Sequence, residues 1–321
     1  MPPDLARVTG RPPLILHARD TLPAEFRGGV VALGNFDGFH AGHQAVVAEA
    51  VALARQQGVP TMVATFDPHP VRLFRPDAPP FRLTTIDQRA RLFAEAGADA
   101  TLVIDFNGAF ASLDAPAFER QVLIERLAVA GVVTGEDFVY GRGRGGNGDT
   151  LARAAERGGF AYTRVAALTD VEGAISSSRI REALRRGDCD SATRLLTRPF
   201  AIEGVVEHGA KLGRQLGYPT ANLSLGDYLR PRYGIYAVRA RMAGEGTWRP
   251  GVANIGVRPT IEPPVELLET YLFDFHGDLY DRAMEVQLIA HLRDEAKFDG
   301  LDALVEQMRR DEAQARALLG A

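Results

Sequence analysis

The chain has 321 residues, with 37 Lys and Arg against 41 Asp and Glu, and a formal net charge of −4. At ~100–200 residues per domain this is length for two domains, and 46% hydrophobic with 24% charged residues excludes a disordered or fibrous chain. With no excess of positive charge, nucleic acid is not an expected partner. A single cysteine, Cys189, leaves no intrachain disulfide and no multi-cysteine metal site, which suits a reducing cytosol. No apolar stretch approaches the ~18 residues of a membrane span. The N-terminus carries Pro2, Pro3 and Asp4 in place of an apolar signal core. A soluble cytoplasmic protein with no membrane partner is expected.

From Gly29 to about Arg186, short apolar runs alternate with helical patterns. The runs are GVVAL (29–33), TMVATF (61–66), TLVIDF (101–106), GVVTG (131–135) and AYTRVA (161–166). Between them lie HQAVVAEAVALARQQG, IDQRARLFAEAG and FERQVLIERLAVAG, apolar at helical spacing and closed by glycine. Such alternation predicts an α/β unit with a parallel sheet, whose ligands bind beyond the carboxyl ends of the strands. The segment 185–199, RRGDCDSATRLLTRP, reads as a link. After about Phe200 come FAIEGVVEH, IYAVRARM, RPGVANIGV, VELLETYLF and MEVQLIAHL, separated by turn residues. They predict an antiparallel sheet or small barrel. One helix closes the chain, with Asp299 as its expected cap and Leu301, Leu304, Val305 and Met308 as its apolar stripe.

GNFDGFHAGH (34–43) follows the first strand and opens the first long helix. Gly34, Gly38 and Gly42 permit close backbone approach, and a helix start adds N–H groups and a positive dipole end. His40 and His43, three apart, can face one anion and stabilise charge developing on a phosphate. Either imidazole could instead cap the helix. Ser176–Ser178, ahead of a helical run, offer hydroxyls, and Arg181 a guanidinium, to a second phosphate group; a plain serine cap is the alternative. GEDFVYGRGRGGNGD (135–149) satisfies G-x-G-x-x-G literally at Gly141, Gly143 and Gly146. It does not directly follow a strand, so a glycine-rich loop is the better reading.

On these residues GNFDGFHAGH resembles the signature of the nucleotidylyltransferase superfamily, in the form carried by bacterial FAD synthetases. TFDPHP (65–70) matches that family closely. ISSSRIR (175–181) is similar to the superfamily's I-S-S-T-x-I/V-R, with Ser178 for Thr. GEDFVYG resembles its G-x-D-F-x-F-G segment. The resemblance implies a Rossmann-like domain in which Gly34, Asn35, Phe36, Gly42, Ser177, Ser178 and Arg181 hold ATP phosphates. It implies flavin contacts at Phe66, His69, Pro70, Asp137 and Phe138.

GAKLGRQLGYPTANL (209–223) spaces Gly209, Gly213 and Gly217 by four. It is no Walker A loop, yet such glycines can cradle phosphates, and Thr220 and Asn222 supply neutral oxygens suited to Mg²⁺. An ordinary glycine-rich hairpin is the alternative. The segment resembles the riboflavin kinase signature G-R-x-x-G-F/Y-P-T-A-N. The likeness continues through NIGVRPT (254–260), LETYLFDFHGDLYD (268–281) and AKFDGLDALVEQMRRD (296–311). It implies Gly209, Gly213, Arg214 and Gly217 at phosphate, Thr220 and Asn222 at magnesium, Arg293 and Phe298 at flavin, and Glu269 as the base facing a 5′-hydroxyl. Three departures stand out: Tyr271 for His, Asp281 for Gly, and LLTRP at 195–199 for LLGRP.

Order and spacing together resemble the bacterial bifunctional riboflavin kinase/FMN adenylyltransferases. That implies residues 1–186 as adenylyltransferase and 187–321 as kinase, with ATP, riboflavin and FMN as small-molecule substrates and FAD as product. One active domain only, or a flavin- or nucleotide-binding regulator without turnover, remain the alternatives. Self-association is not legible in the sequence.

Overall fold

A computed structural model describes residues 13–208, 217–258 and 265–321. The chain divides into two compact units. One is formed by residues 13–79 with Thr85–Ser176; the other by the described residues from Ser177 to Ala321 with the short segment Pro80–Thr84.

The first unit is built on a six-stranded parallel sheet. Its strands are β1 (Ile15–His17), β2 (Val30–Leu33), β3 (Thr61–Asp67), β4 (Ala100–Asp105), β5 (Gly131–Gly135) and β6 (Ala161–Val165), in the order β1-β4-β3-β2-β5-β6. β2 is wholly buried, as a strand covered on both faces must be. Helices α1 (Ala41–Gln57), α2 (Pro70–Phe74), α3 (Ile86–Glu95), α4 (Gly108–Ala111), α5 (Ala115–Phe118) and α6 (Gly148–Gly158) connect the strands. Separate apolar clusters lie on the two sides of the sheet. Val31, Met62, Leu102 and Val132 point one way; Val30, Ala32, Val63 and Val133 point the other, against Val47 and Ala50 of α1. After β2 the chain goes to β3 on one side, while β5 lies on the other, so the carboxyl end of β2 is the topological switch point.

Several expectations need correction. The third helical run stops at Arg126, and its second part, Glu119–Arg126, winds as a π-helix. The glycine-rich stretch is a loop, as expected; paired Tyr140–Gly146 backbone hydrogen bonds of 3.0 and 2.9 Å pinch it, and Asn147 caps α6 directly after it. β1 was not expected: three residues carry too little pattern to be read. A two-stranded ribbon, β7 (Thr169–Asp170) and β8 (Gly173–Ala174), precedes the second unit.

The second unit begins with α7 (Ser177–Arg186) and α8 (Cys189–Leu196). The segment expected as a link thus contains a packed helix, with Cys189, Ala192, Leu195 and Leu196 buried. Six antiparallel strands follow: β9 (Phe200–Val205), β10 (Ala221–Ser224), β11 (Gly234–Met242), β12 (Arg249–Arg258), β13 (Val265–Leu272) and β14 (Ala283–Arg293). Their order is β10-β13-β12-β11-β14-β9, and the Glu207–Asn222 bridge brings the two edges together into a nearly closed barrel. Tyr236, Val238, Ala253, Leu268, Met284 and Val286 fill its interior. α9 (Leu301–Leu319) covers part of the outer face through Ala315 and Leu319, packed on Ala237 and Phe273. Its cap is Gly300 rather than Asp299, with no side-chain capping bond. Of the expected stripe, Leu301 is 58% exposed while Leu304, Val305 and Met308 are half-buried; the fully buried apolar contacts, Ala315 and Leu319, lie in the second half of the helix.

Candidate active sites

The loop after β2 is a strained turn held from below. Gly34 ends the strand, its N–H donating to Ala64 O at 3.3 Å. Phe36 and Phe39 both take left-handed backbone, φ 50° and 44°. Such conformations cost about 1–3 kcal/mol each. Burying the two rings, 2% and 3% exposed and edge-on to Phe93 at 5.7 and 5.0 Å, returns about 1.5–3 kcal/mol apiece. The apolar contacts therefore offset the strain. Arg89, 1% exposed, fixes the turn: its Nη1 donates to Asn35 O at 2.9 Å and to Thr65 Oγ1 at 2.7 Å, and Thr65 Oγ1 donates to Asn35 O at 2.8 Å. Arg89 was missed in the sequence. It lies four residues before buried Phe93 on α3, and that spacing turns it inward.

His40 is the N-cap of α1, its Nδ1 accepting from His43 N–H at 3.3 Å. An accepting Nδ1 puts the proton of a neutral ring on Nε2, making that atom a donor suited to a phosphate oxygen. Capping and phosphate binding are thus compatible in one imidazole. The His43 ring stacks on His40, centroids 3.6 Å apart, and meets Phe36 edge-on at 5.3 Å. A Cβ on Gly42 would stand 3.2 Å from the His40 ring and 3.8 Å from Ile175 O. The absent side chain lets both the ring and the start of the second signature approach the helix end.

Around the carboxyl ends of β3, β4 and β5 runs a chain of aromatic rings. Phe66 meets Phe106 at 5.6 Å and Phe110 at 6.0 Å; Phe110 meets Phe118, Phe118 meets Tyr140, and Phe138 stacks on Tyr140 at 5.7 Å. His69 caps α2, its Nδ1 accepting from Val71 N–H at 3.2 Å, and Pro70 is the first helical residue. Asp137 is exposed and Phe138 half-buried. Burial and the Glu119 carboxylate push the Tyr140 hydroxyl up, so this ring stays neutral. The cluster is apolar with polar groups at its margin, the usual composition of a site for a flat heteroaromatic ring.

Ser177 and Ser178 open α7, in the second unit. Arg181 donates from Nε to Phe81 O at 2.9 Å, its guanidinium 5.4 Å from the Phe81 ring centre.

In the barrel, strand register places the candidate kinase residues side by side. Asn222 of β10 is paired with Glu269 of β13, and Glu269 in turn with Asn254 of β12. Directly paired residues share a face, with Cβ atoms ~4.5–5.5 Å apart. The three side chains therefore form a row on the outer face, with Glu269 in the middle. Asn222 is 3% exposed, and its Oδ1 has no hydrogen-bond partner among the described residues. Thr220, half-buried, immediately precedes β10 and lines a cavity of about 50 Å³ with Pro219, Thr270, Leu272 and Tyr280. Gly217 is exposed at φ 85°. Gly209, Gly213 and Arg214 lie outside the described residues. Among the described residues no group of three or more His, Cys, Asp or Glu side chains could hold a metal ion. Neutral oxygens and a single carboxylate suit Mg²⁺ carried on nucleotide phosphates.

Arg293 ends the same cross-strand row through Ile235, which pairs with both Asn254 and Arg293. It is clamped by Asp311 of α9: Nε to Oδ1 at 2.9 Å and Nη2 to Oδ2 at 2.7 Å. Gln307 donates to Asp311 at 2.8 Å, and the Phe298 ring centre lies 5.7 Å from the guanidinium. Asp311 was missed in the sequence, though Ala315 and Leu319 at four and eight residues further on mark its face as the buried one. The residues departing from the resemblance fall in telling places. Thr197 and Asp281, where glycine is usual, have φ 64° and 57°. Tyr271 packs edge-on to Tyr218 at 4.9 Å, and burial pushes the hydroxyls of both up.

With this geometry in view, known sequences and structures place the chain. A sequence model described as FAD synthetase matches residues 22–179, and one described as riboflavin kinase matches residues 196–319. The bifunctional riboflavin kinase/FMN adenylyltransferase of Pseudomonas fluorescens is 43% identical over 95% of this chain and 97% of its own. Those of Escherichia coli K12 and Bacillus subtilis are 40% and 38% identical, over 95% and 94% of this chain and 96% of each of theirs. A solved structure from Streptococcus pneumoniae, described as a macrolide-efflux protein, is 30% identical over 94% of this chain and 99% of its own, with a TM-score of 0.84. Among the described residues here, no helix is long and apolar enough to cross a membrane. Two matched domains in this order, over nearly the full length of such relatives, show that the chain belongs to the bifunctional riboflavin kinase/FMN adenylyltransferase family.

Proposed function

We infer that the chain makes FAD in two steps. In the C-terminal part, assigned to residues 187–321, the 5′-hydroxyl of riboflavin attacks the γ-phosphorus of ATP and gives FMN. In the N-terminal part, assigned to residues 1–186, the FMN phosphate attacks the α-phosphorus of a second ATP, giving FAD and pyrophosphate.

The observation that carries the kinase reading is the pairing of Asn222 with Glu269 across β10 and β13. It sets a proton acceptor beside a neutral oxygen ligand. Glu269 takes the proton of the attacking hydroxyl, and Thr220 and Asn222 would hold Mg²⁺. When bound, Mg²⁺ neutralises phosphate charge; the rest of the catalysis is positioning. Arg293, held by Asp311, and Phe298 flank the flavin. Gly209, Gly213, Arg214 and Gly217 line the phosphates.

For adenylyl transfer, a phosphate monoester is already a nucleophile, so no covalent intermediate and no general base are needed. His40, His43, Gly34, Asn35, Phe36 and Gly42, with Ser177, Ser178 and Arg181, bind the ATP phosphates and absorb developing charge. The flavin lies among Phe66, His69, Pro70, Asp137 and Phe138. The stacked His40–His43 pair at a helix start supports this reading, as does the aromatic chain beside it. A reducing cytosolic setting, in which Cys189 stays a thiol, accompanies it.

The test is incubation with riboflavin, ATP and Mg²⁺, with FMN and FAD separated by chromatography. Glu269→Gln should lower riboflavin phosphorylation by about 10²–10⁴ in kcat while added FMN still becomes FAD. Phosphorylation at the parental rate would remove Glu269 from the mechanism. Formation of neither product by the parental chain would overturn the whole reading.

A further inference from the structure

The row across the barrel does not end at Glu269. Asn222 and Asn254 pair with it from opposite sides, so one carboxylate stands between two carboxamides on one face. Both amide oxygens are buried, and neither has a hydrogen-bond partner among the described residues. A buried acceptor left unpaired is costly, and native proteins seldom keep one without a use. Two such oxygens on either side of a single carboxylate mark one site rather than two defects. Backbone next to Asn254 is also tight: a Cβ on Gly256, its neighbour on the same face, would collide with the Glu295 carboxylate.

The two sides are not equivalent. Thr220 and Asn222 sit together at the start of β10, which makes that side the one for ATP phosphates and cation. Asn254 lies across Glu269 from them, one strand further on, where the acceptor must enter if Glu269 receives its proton. We propose that Asn254 is a positioning residue of the kinase site, its Oδ1 accepting a hydrogen bond from the ribityl hydroxyl next to the reacting one, the 4′-hydroxyl. Glu269 and Asn254 then grip neighbouring hydroxyls of one polyol chain, and the 5′-oxygen is aimed at the phosphorus. The proposal rests on the reading of Glu269 as the base. It also gives a reason for selecting a polyol chain and not merely a flavin ring. A site built to bond a hydroxyl discriminates against an analogue lacking it, because its own buried oxygen is then left unpaired.

The experiment uses the full-length chain and three ligands: riboflavin, 4′-deoxyriboflavin, and lumiflavin, which keeps the ring but has no ribityl chain. In steady-state phosphorylation, Asn254→Leu should lower kcat/KM for riboflavin about tenfold. The KM for ATP, the Mg²⁺ dependence and the inhibition constant of lumiflavin should stay at parental values. The parental enzyme should lose a similar factor with 4′-deoxyriboflavin, and the variant should lose nothing further with it, closing a double-mutant cycle. Asn254→Ser, a smaller polar change, should fall between the two. If Asn254→Leu does not fold, the parental comparison of riboflavin with its 4′-deoxy analogue decides alone. Equal kcat/KM for those two substrates would overturn the proposal. So would a variant that weakens lumiflavin as much as riboflavin, or one that alters only the Mg²⁺ dependence. Failure of the base reading is separate: it shows as parental phosphorylation by Glu269→Gln, whatever Asn254 does.

Discussion

His40 and His43 share one stack, and the backbone N–H of the second is bonded by the first, so the pair acts as a unit. His43→Ala removes an imidazole that the proposed function sets against developing phosphate charge. Adenylyl transfer should fall about 10²–10³, as when one preorganised donor is lost. Riboflavin phosphorylation should be unchanged, so FMN should accumulate; time courses of both products by chromatography test this. Persistent FAD synthesis at the parental rate would sink the phosphate assignment of residues 34–43. Arg89 is a different kind of residue, one that holds the turn's backbone. Its importance comes from burial, since a guanidinium at 1% exposure is stable there only with its hydrogen bonds made.

Single elements carry their own stresses. Thr197 closes α8 in left-handed backbone, a conformation costly for a β-branched side chain. Thr197→Gly relieves about 1–2 kcal/mol of strain against about 0.5–1 kcal/mol of added chain entropy. The thermal midpoint of the second unit should rise by ~2 °C. Asp281→Gly should give less, because a short polar side chain tolerates this backbone better. A lower midpoint for the Thr197 variant would show that its side-chain contacts outweigh the strain. On β14, His291 is half-buried beside Tyr236, Gly187 and Gly234, with Arg232 and Asp294 nearby. Burial holds its folded pKa below the ordinary value, and Arg232 adds to this. The unfolded chain then binds the proton more readily than the folded one. Stability is full above about pH 6.5 and declines as pH falls toward the depressed folded value. His291→Gln should flatten that decline. Denaturant midpoints at pH 7.5 and 5.5 would show it, and an equal drop in both proteins would refute it.

At the scale of the whole molecule, the two activities should separate. Residues 1–186 should convert FMN to FAD, and residues 187–321 riboflavin to FMN. A cut at 186/187 nonetheless severs contacts inside one compact unit. α7 buries Ile180, Ala183 and Leu184, and Arg232 N–H donates to Leu184 O at 2.9 Å. Fragment 177–321 should therefore melt several degrees above fragment 187–321, with the same substrate, as the gain from a packed helix implies. Equal melting temperatures would mean that α7 contributes nothing to the barrel unit. Fragment activity of either kind that required both pieces would count against independent sites.

What was legible in the sequence is what repeats along the chain or lies in contiguous signatures. The parallel sheet showed in strand–helix alternation, because burial imposes a period on every element. GNFDGFHAGH could be placed at a helix start, and Glu269 was singled out by the resemblance. The unread parts depend on distant residues. β1 is three residues whose only role is to pair with β4. β10 lies inside a segment whose glycines read as a phosphate cradle, and α8 inside one that reads as a link. Left-handed backbone at Phe36 and Phe39 is tolerated because Phe93, more than fifty residues on, packs against both rings. The register that aligns Asn222, Glu269 and Asn254 joins three strands far apart in sequence. Local pattern fixes which elements form and which residue types are at hand. Strand pairing alone decides which of them share a face, because that is settled by burial and hydrogen bonding across the sheet and leaves no mark on either strand taken singly.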